Sequence, residues 1–162
     1  MIFKKLFFFL FVFVLTACDF ETDKITGEVV KVIDGDTFTV RTTTDQRVKI
    51  RLYGIDAPER GQDYGSKSRQ FLNDLCYGKE VTIEDKGTDQ YGRTLGVVYI
   101  GDLNINAEMV KNGLAWYYNY SVDDPHLEAL EREAQKKGLN IWSMKNPISP
   151  YEYRKNKKFG KQ

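Results

Sequence analysis

Residues 32–40 read Val-Ile-Asp-Gly-Asp-Thr-Phe-Thr-Val, and residues 51–59 read Arg-Leu-Tyr-Gly-Ile-Asp-Ala-Pro-Glu. These two stretches decide the fold and hold five chemically capable side chains: Asp34, Asp36, Arg51, Asp56 and Glu59. Asp34-Gly35 between two apolar runs predicts a two-residue hairpin turn with positive φ at both turn positions. That turn would fold residues 29–33 back against residues 38–40. Asp36 then opens the second strand, with Phe38 and Val40 on its own face, because strand side chains alternate. A third strand over residues 46–55 places Val48, Ile50 and Leu52 inward and Arg47, Lys49 and Arg51 outward. Its phase breaks at Gly54, which predicts a bulge that re-aims the strand end just before Asp56. Pro58 stops further pairing and stiffens the backbone under Glu59.

The 162 residues suffice for one domain and a leader. Lys4 and Lys5 give a basic start, and residues 6–15 form an unbroken apolar run of ten. That run is short for a membrane span and fits the apolar core of a signal peptide over residues 1–17. The ending Leu15-Thr16-Ala17-Cys18 resembles a bacterial lipobox. The resemblance implies cleavage before Cys18, its lipidation, and a protein anchored to a membrane of the cell envelope, facing outside the cytoplasm. Without the anchor the protein would be secreted. Two or more acyl chains anchor firmly where one binds only marginally. Residues 18–24 are polar and acidic and read as a tether.

The chain beyond the leader carries 22 basic and 23 acidic side chains, a net charge of −1. From Ser143 onward six basic residues face one acid, Glu152. A polyanion partner must therefore be met by local charge rather than by the field of the whole molecule. If Cys18 is lipidated, Cys76 has no cysteine partner and no disulfide framework exists. Cys76 falls on the apolar face of a predicted helix and reads as a small core residue.

That helix spans residues 64–76, with Phe71, Leu72, Leu75 and Cys76 at helical spacing. Residues 80–85 predict a fourth strand. Residues 93–100 predict a fifth, apolar on both faces, which argues for a closed barrel over an open sheet. A second helix over residues 104–112 turns Ile105, Met109 and Val110 inward. Asp124-Pro125 caps and opens a third, with Leu127, Leu130 and Ala134 inside. Leu139, Ile141 and Trp142 anchor its end. Residues 143–162, with Pro147, Pro150 and the basic run, read as a flexible basic tail. The expected class is α+β: a five-stranded OB-type barrel with three helices, over residues 25–142.

The motifs Asp34-Gly35-Asp36-Thr37, Arg51, Asp56-Ala57-Pro58-Glu59 and Asp89-Gln90-Tyr91-Gly92-Arg93, in that order, resemble the staphylococcal nuclease (thermonuclease) family. Leu139-Asn140-Ile141-Trp142 adds a weaker echo. The resemblance implies the same barrel, a monomer, and calcium-dependent hydrolysis of phosphodiester bonds in DNA and RNA with little sequence preference, leaving 3′-phosphate ends. By the same resemblance Asp36 and Asp56 would be calcium carboxylates, and Ala57 would lend a carbonyl. Glu59 would be the general base, Arg51 and Arg93 the phosphate-facing arginines, and Tyr91 a nucleotide contact. Tyr117, Tyr118 and Tyr120 fall in the region of the family's base-stacking tyrosines, without a unique alignment. Gln90 stands where the family often has lysine, and the loop after Glu59 is short.

These residue types suit the chemistry. Calcium takes oxygen ligands. His126 is the sole histidine, which argues against zinc. Arginine offers a forked donor that lysine lacks. Plainer readings stand beside these: Asp34 as turn chemistry, Arg93 as a partner of Asp85 or Asp89, and residues 116–120 equally as core or as a stacking platform. A rival function is a catalytically silent nucleic-acid or protein-binding module on the same barrel, and another is a structural envelope lipoprotein.

Overall fold

The computed structural model describes residues 24–119 and 122–160. The expected leader, Cys18 and Tyr120 lie outside the described residues. Three antiparallel strands come first: β1 (Lys24–Val32), β2 (Thr37–Thr42) and β3 (Arg47–Leu52). Their inward positions are occupied by apolar residues, and Phe38 lies opposite Ile50, Val40 opposite Val48 and Val29. Two-residue β4 (Ile55–Asp56) follows the glycine kink, and Gly54 takes φ of 74° there. Helix α1 (Gly65–Cys76) then leads into β5 (Glu80–Thr88), β6 (Thr94–Ile100), β7 (Leu103–Asn104) and α2 (Ile105–Lys111). Next come β8 (Trp116–Tyr117), α3 (Pro125–Lys136), a 3-10 turn (Asn140–Ser143) and α4 (Pro150–Phe159).

β1 pairs with β5 and β5 with β6, both antiparallel. Parallel pairing of β6 with β3 closes the barrel, with Ile50 beside Thr94 and Leu52 beside Gly96. The closed five-stranded OB-type barrel of an α+β fold is therefore present. Inside it lie Val29, Phe38, Val40, Ile50, Val81, Ile83 and Val98, all buried. α1 closes one end with Leu72 and Cys76, and α2 contributes Ile105, Met109 and Val110. Each such side chain gives about 1.5–3 kcal/mol on burial. The Cys76 thiol donates to the Leu72 carbonyl, and burial pushes its pKa up to about 12, so it is an inert core group. Buried Asn106 joins α2 to the barrel by donating to the Tyr53 and Gly96 carbonyls and accepting the Val98 N–H.

Three expectations are corrected. The β1–β2 connection is not a turn of two positive-φ residues: neither Asp34 nor Gly35 takes positive φ. The connection spans residues 33–36, closed by the Ile33 N–H on the Thr37 carbonyl at 2.9 Å. β6 is not buried on both faces. Gly96 and Val98 point in, while Leu95, Val97 and Tyr99 stay half-exposed. The segment expected to be a flexible tail holds a helix. Ser149 caps α4 by accepting from the Glu152 N–H, Glu152 returns the bond to the Ser149 N–H, and Pro150 sits at the first helical position.

Candidate active site

An open cleft of about 620 Å³ runs along the rim of the barrel where β2 begins and β3 and β4 end. Asp36 enters it from the start of β2. Its Oδ2 accepts the Ala57 N–H at 2.8 Å and pairs with Arg51 Nη1 at 3.0 Å, while Oδ1 accepts the Thr37 hydroxyl at 2.9 Å. Asp56 enters from β4, which pairs with β8 so that Asp56 lies opposite Trp116. Both carboxylates are buried, at 6% and 2% exposure. Burial raises the Asp56 pKa, and this outweighs its arginine partners. Asp34, half-buried beside Asp36, is pushed up to about 7 by desolvation first and by the Asp36 charge second.

Arg51 spans the two acids, since Nη2 donates to Asp56 Oδ1 at 3.0 Å. It also donates to the Leu52 and Ile55 carbonyls, at 3.1 and 2.8 Å, and so clamps the chain around the Gly54 kink. Arg51 is thus a structural clamp as well as a cleft group. Glu59 stands on the same rim after buried Pro58, with its N–H held by the Gln62 side chain. Arg93 is paired with Asp89, at 2.7 Å, as the plainer reading expected. It nevertheless lines the cleft, reaches Thr37 at 3.4 Å, and lies 5.5 Å over the Tyr91 ring. Asp89 is half-buried, which works against ionisation. The Arg93 backbone N–H, its guanidinium and the Tyr91 N–H prevail and lower the Asp89 pKa.

Tyr91 is 76% exposed at the cleft mouth, and Tyr118 also lines it. Tyr117 does not. Its hydroxyl donates to the Val122 carbonyl at 2.7 Å and accepts the Asp124 N–H at 2.9 Å, holding the segment before α3. Among the described residues no group of three or more His, Cys, Asp or Glu side chains is arranged to hold a metal ion. What converges is two buried carboxylates, one of them accepting the Ala57 N–H. That all-oxygen donor set fits a hard cation that keeps water and substrate oxygens as its other ligands.

Two cationic lining residues escaped the motif reading. Lys49 lies on the same outward face of β3 as Arg51. Arg154 comes from α4. Its Nη1 bonds Glu59 Oε1 at 2.7 Å and Asp56 Oδ1 at 3.2 Å, and its Nη2 bonds Asp56 Oδ2 at 3.0 Å. The sequence does carry a signal for its helix: Ser149-Pro150 followed by Glu152 is a capping box with proline at the first position.

A barrel whose charged groups gather on one open rim defines an OB-type protein suited to a chain-like ligand rather than an enclosed small molecule. Residues 49–144 match the family model described as "Staphylococcal nuclease homologue". An "Uncharacterized endonuclease" of Haemophilus influenzae is 49% identical over 146 residues, covering 90% of this chain and 80% of that protein. "Micrococcal nuclease" of Shigella flexneri is 43% identical over 143 residues, covering 82% of each. The chain belongs to the staphylococcal nuclease family and is a thermonuclease-like nuclease.

Proposed function

We propose that the protein is a calcium-dependent phosphodiesterase that cuts DNA and RNA with little sequence preference and leaves 3′-phosphate ends. The observation that carries this reading is the pair of buried carboxylates, Asp36 and Asp56, spanned by Arg51 and flanked by Glu59 on one open rim. Asp36, Asp56 and the Ala57 carbonyl would hold calcium, which supplies charge withdrawal from a phosphate oxygen. Glu59 takes a proton from the attacking water. The new bond forms between that water oxygen and phosphorus, the phosphorus–O5′ bond breaks, and the leaving O5′ takes a proton from solvent water, so that one fragment ends in a 3′-phosphate and the other begins with a 5′-hydroxyl. Arg51 and Arg93 donate to the phosphate oxygens as charge builds in the five-coordinate transition state. Tyr91 and Tyr118 offer faces on which bases stack without sequence readout. Charged groups aimed at phosphate read the backbone alone, which fits weak sequence preference. A lipid anchor on Cys18 would place this cleft outside the cytoplasm, and a monomer suffices, since every proposed group comes from one chain.

The test is digestion of single-stranded DNA by residues 19–162, with calcium or with a chelator, beside Glu59→Gln. Calcium-dependent cutting that drops by about 10²–10⁴ in the variant is expected for loss of a general base. Cutting that survives both chelator and variant would overturn the assignment of the site. A folded, calcium-binding protein that does not cut would favour the binding module.

A further inference from the structure

α4 holds the barrel with very little apolar surface. Of its ten residues only Pro150 is buried, and Tyr153 is half-buried, while Tyr151 and Phe159 remain 55% and 66% exposed. Its firmest contacts with the cleft are polar. The Arg154 guanidinium bonds both oxygens of Asp56 and one of Glu59, with the Arg154 side chain itself 45% exposed. Upstream, the Gln62 side chain donates to the Ile148 carbonyl at 2.7 Å, and Tyr64 and Ser143 share a hydrogen bond of 2.7 Å. Those two bonds tie the chain before α4 to residues 62–64, just after Glu59. An element held by ion pairs and few apolar contacts opens locally at low cost.

The oxygens that Arg154 uses are the ones the proposed chemistry needs. Asp56 cannot give the same lone pairs to a guanidinium and to a cation, and Glu59 accepts a water proton poorly while it accepts from Arg154. Arg51 neutralises the acids from below the rim, from within the barrel wall. Arg154 does so from the solvent side, on a helix beyond residues 49–144 that match the family model. We propose that α4 is a reversible plug, in which Arg154 stands as an internal counterion on Asp56 and Glu59, and that divalent-cation binding and α4 docking exclude each other. Linkage makes the effect reciprocal: the plug weakens cation binding by the same factor by which the cation weakens docking.

The inference rests on the calcium reading of Asp36 and Asp56, and its test separates the two. Calcium affinity is measured by calorimetry for residues 19–162, for Arg154→Gln and for Lys157→Gln, which removes a charge from the same helix. Arg154→Gln is expected to bind calcium about five- to tenfold more tightly, the scale of charge-assisted contacts to a half-exposed arginine. Lys157→Gln should change it by less than about twofold, the effect of one distant exposed charge. In parallel, amide exchange over residues 150–159 should speed up when calcium is added to the wild type and should not respond in Arg154→Gln. Equal or weaker calcium affinity in Arg154→Gln, an equal gain in Lys157→Gln, or exchange unaffected by calcium overturns the plug alone. Failure of both wild type and Arg154→Gln to bind calcium overturns the plug together with the calcium reading.

Discussion

Gly35 is in place for want of space rather than for backbone freedom. A Cβ built on it would meet the Cβ atoms of Ala57 and Ser68 at 2.7 Å each, neither of which is the tip of a flexible chain. The β1–β2 connection, the Asp36–Ala57 contact and α1 converge there. Gly35→Ala should therefore cost roughly 1–3 kcal/mol, as overpacking of a tight site does. Urea unfolding would read this as a lower midpoint with unchanged slope, and a neutral result would mean that α1 shifts freely. The motif showed that glycine is needed but gave the wrong reason, because a sequence displays turn statistics and not the helix that will pack on the turn. Asp36, Asp56 and Glu59 were legible because each follows a strand signal or a proline that fixes where it emerges. The tyrosines were not. Tyr117 and Tyr118 are neighbours in the chain, so their side chains part, and only tertiary structure shows that the first ties Val122 and Asp124 while the second lines the cleft.

Among the elements, α3 supports the site from behind. Glu131 accepts the Tyr117 N–H at 2.9 Å and so steadies β8, the strand that pairs with Asp56. Burial raises the Glu131 pKa, the Tyr117 hydrogen bond opposes this, and the Glu128 charge adds to it. A carboxyl with a raised folded pKa keeps its proton in the native state after the unfolded chain has lost it. Its stability contribution is whole below about pH 4.5, the unfolded value, and is lost as pH rises through the folded value. Glu131→Gln keeps an acceptor without the charge. It should raise the melting temperature at pH 8 and leave it nearly unchanged at pH 4, and the opposite ordering would reverse the assignment. α1, α2 and α3 were readable from spacing and caps because each buries a full apolar face. α4 has no such face, and its prolines and lysines resemble a solvated tail in composition. Its capping box was the sole local sign, and its anchor, Arg154, bonds acids far away in the chain.

For the whole molecule the decisive contact is the seam between β3 and β6, where Ile50 meets Thr94 in parallel. It brings together groups the chain supplies at distant points: Asp36 and Arg51 on one side, Arg93 on the other. Lost activity therefore tracks global unfolding rather than local opening. In a urea titration with calcium present, nuclease activity should fall at the same midpoint as the near-ultraviolet signal of the core, with exchange over α4 already fast before it. Activity lost at the earlier transition would place α4 among the groups needed for cutting. The barrel was legible as five strands and its closure was expected, though on a burial of β6 on both faces that does not hold; the parallel contact that closes it joins strands far apart and leaves no local pattern. That seam also sets a schedule. Contacts so distant along the chain form late, after helices and hairpins. A newly made chain thus passes its early life folded in its parts yet unable to cut, and it becomes an enzyme only when the last strand edge finds its mate.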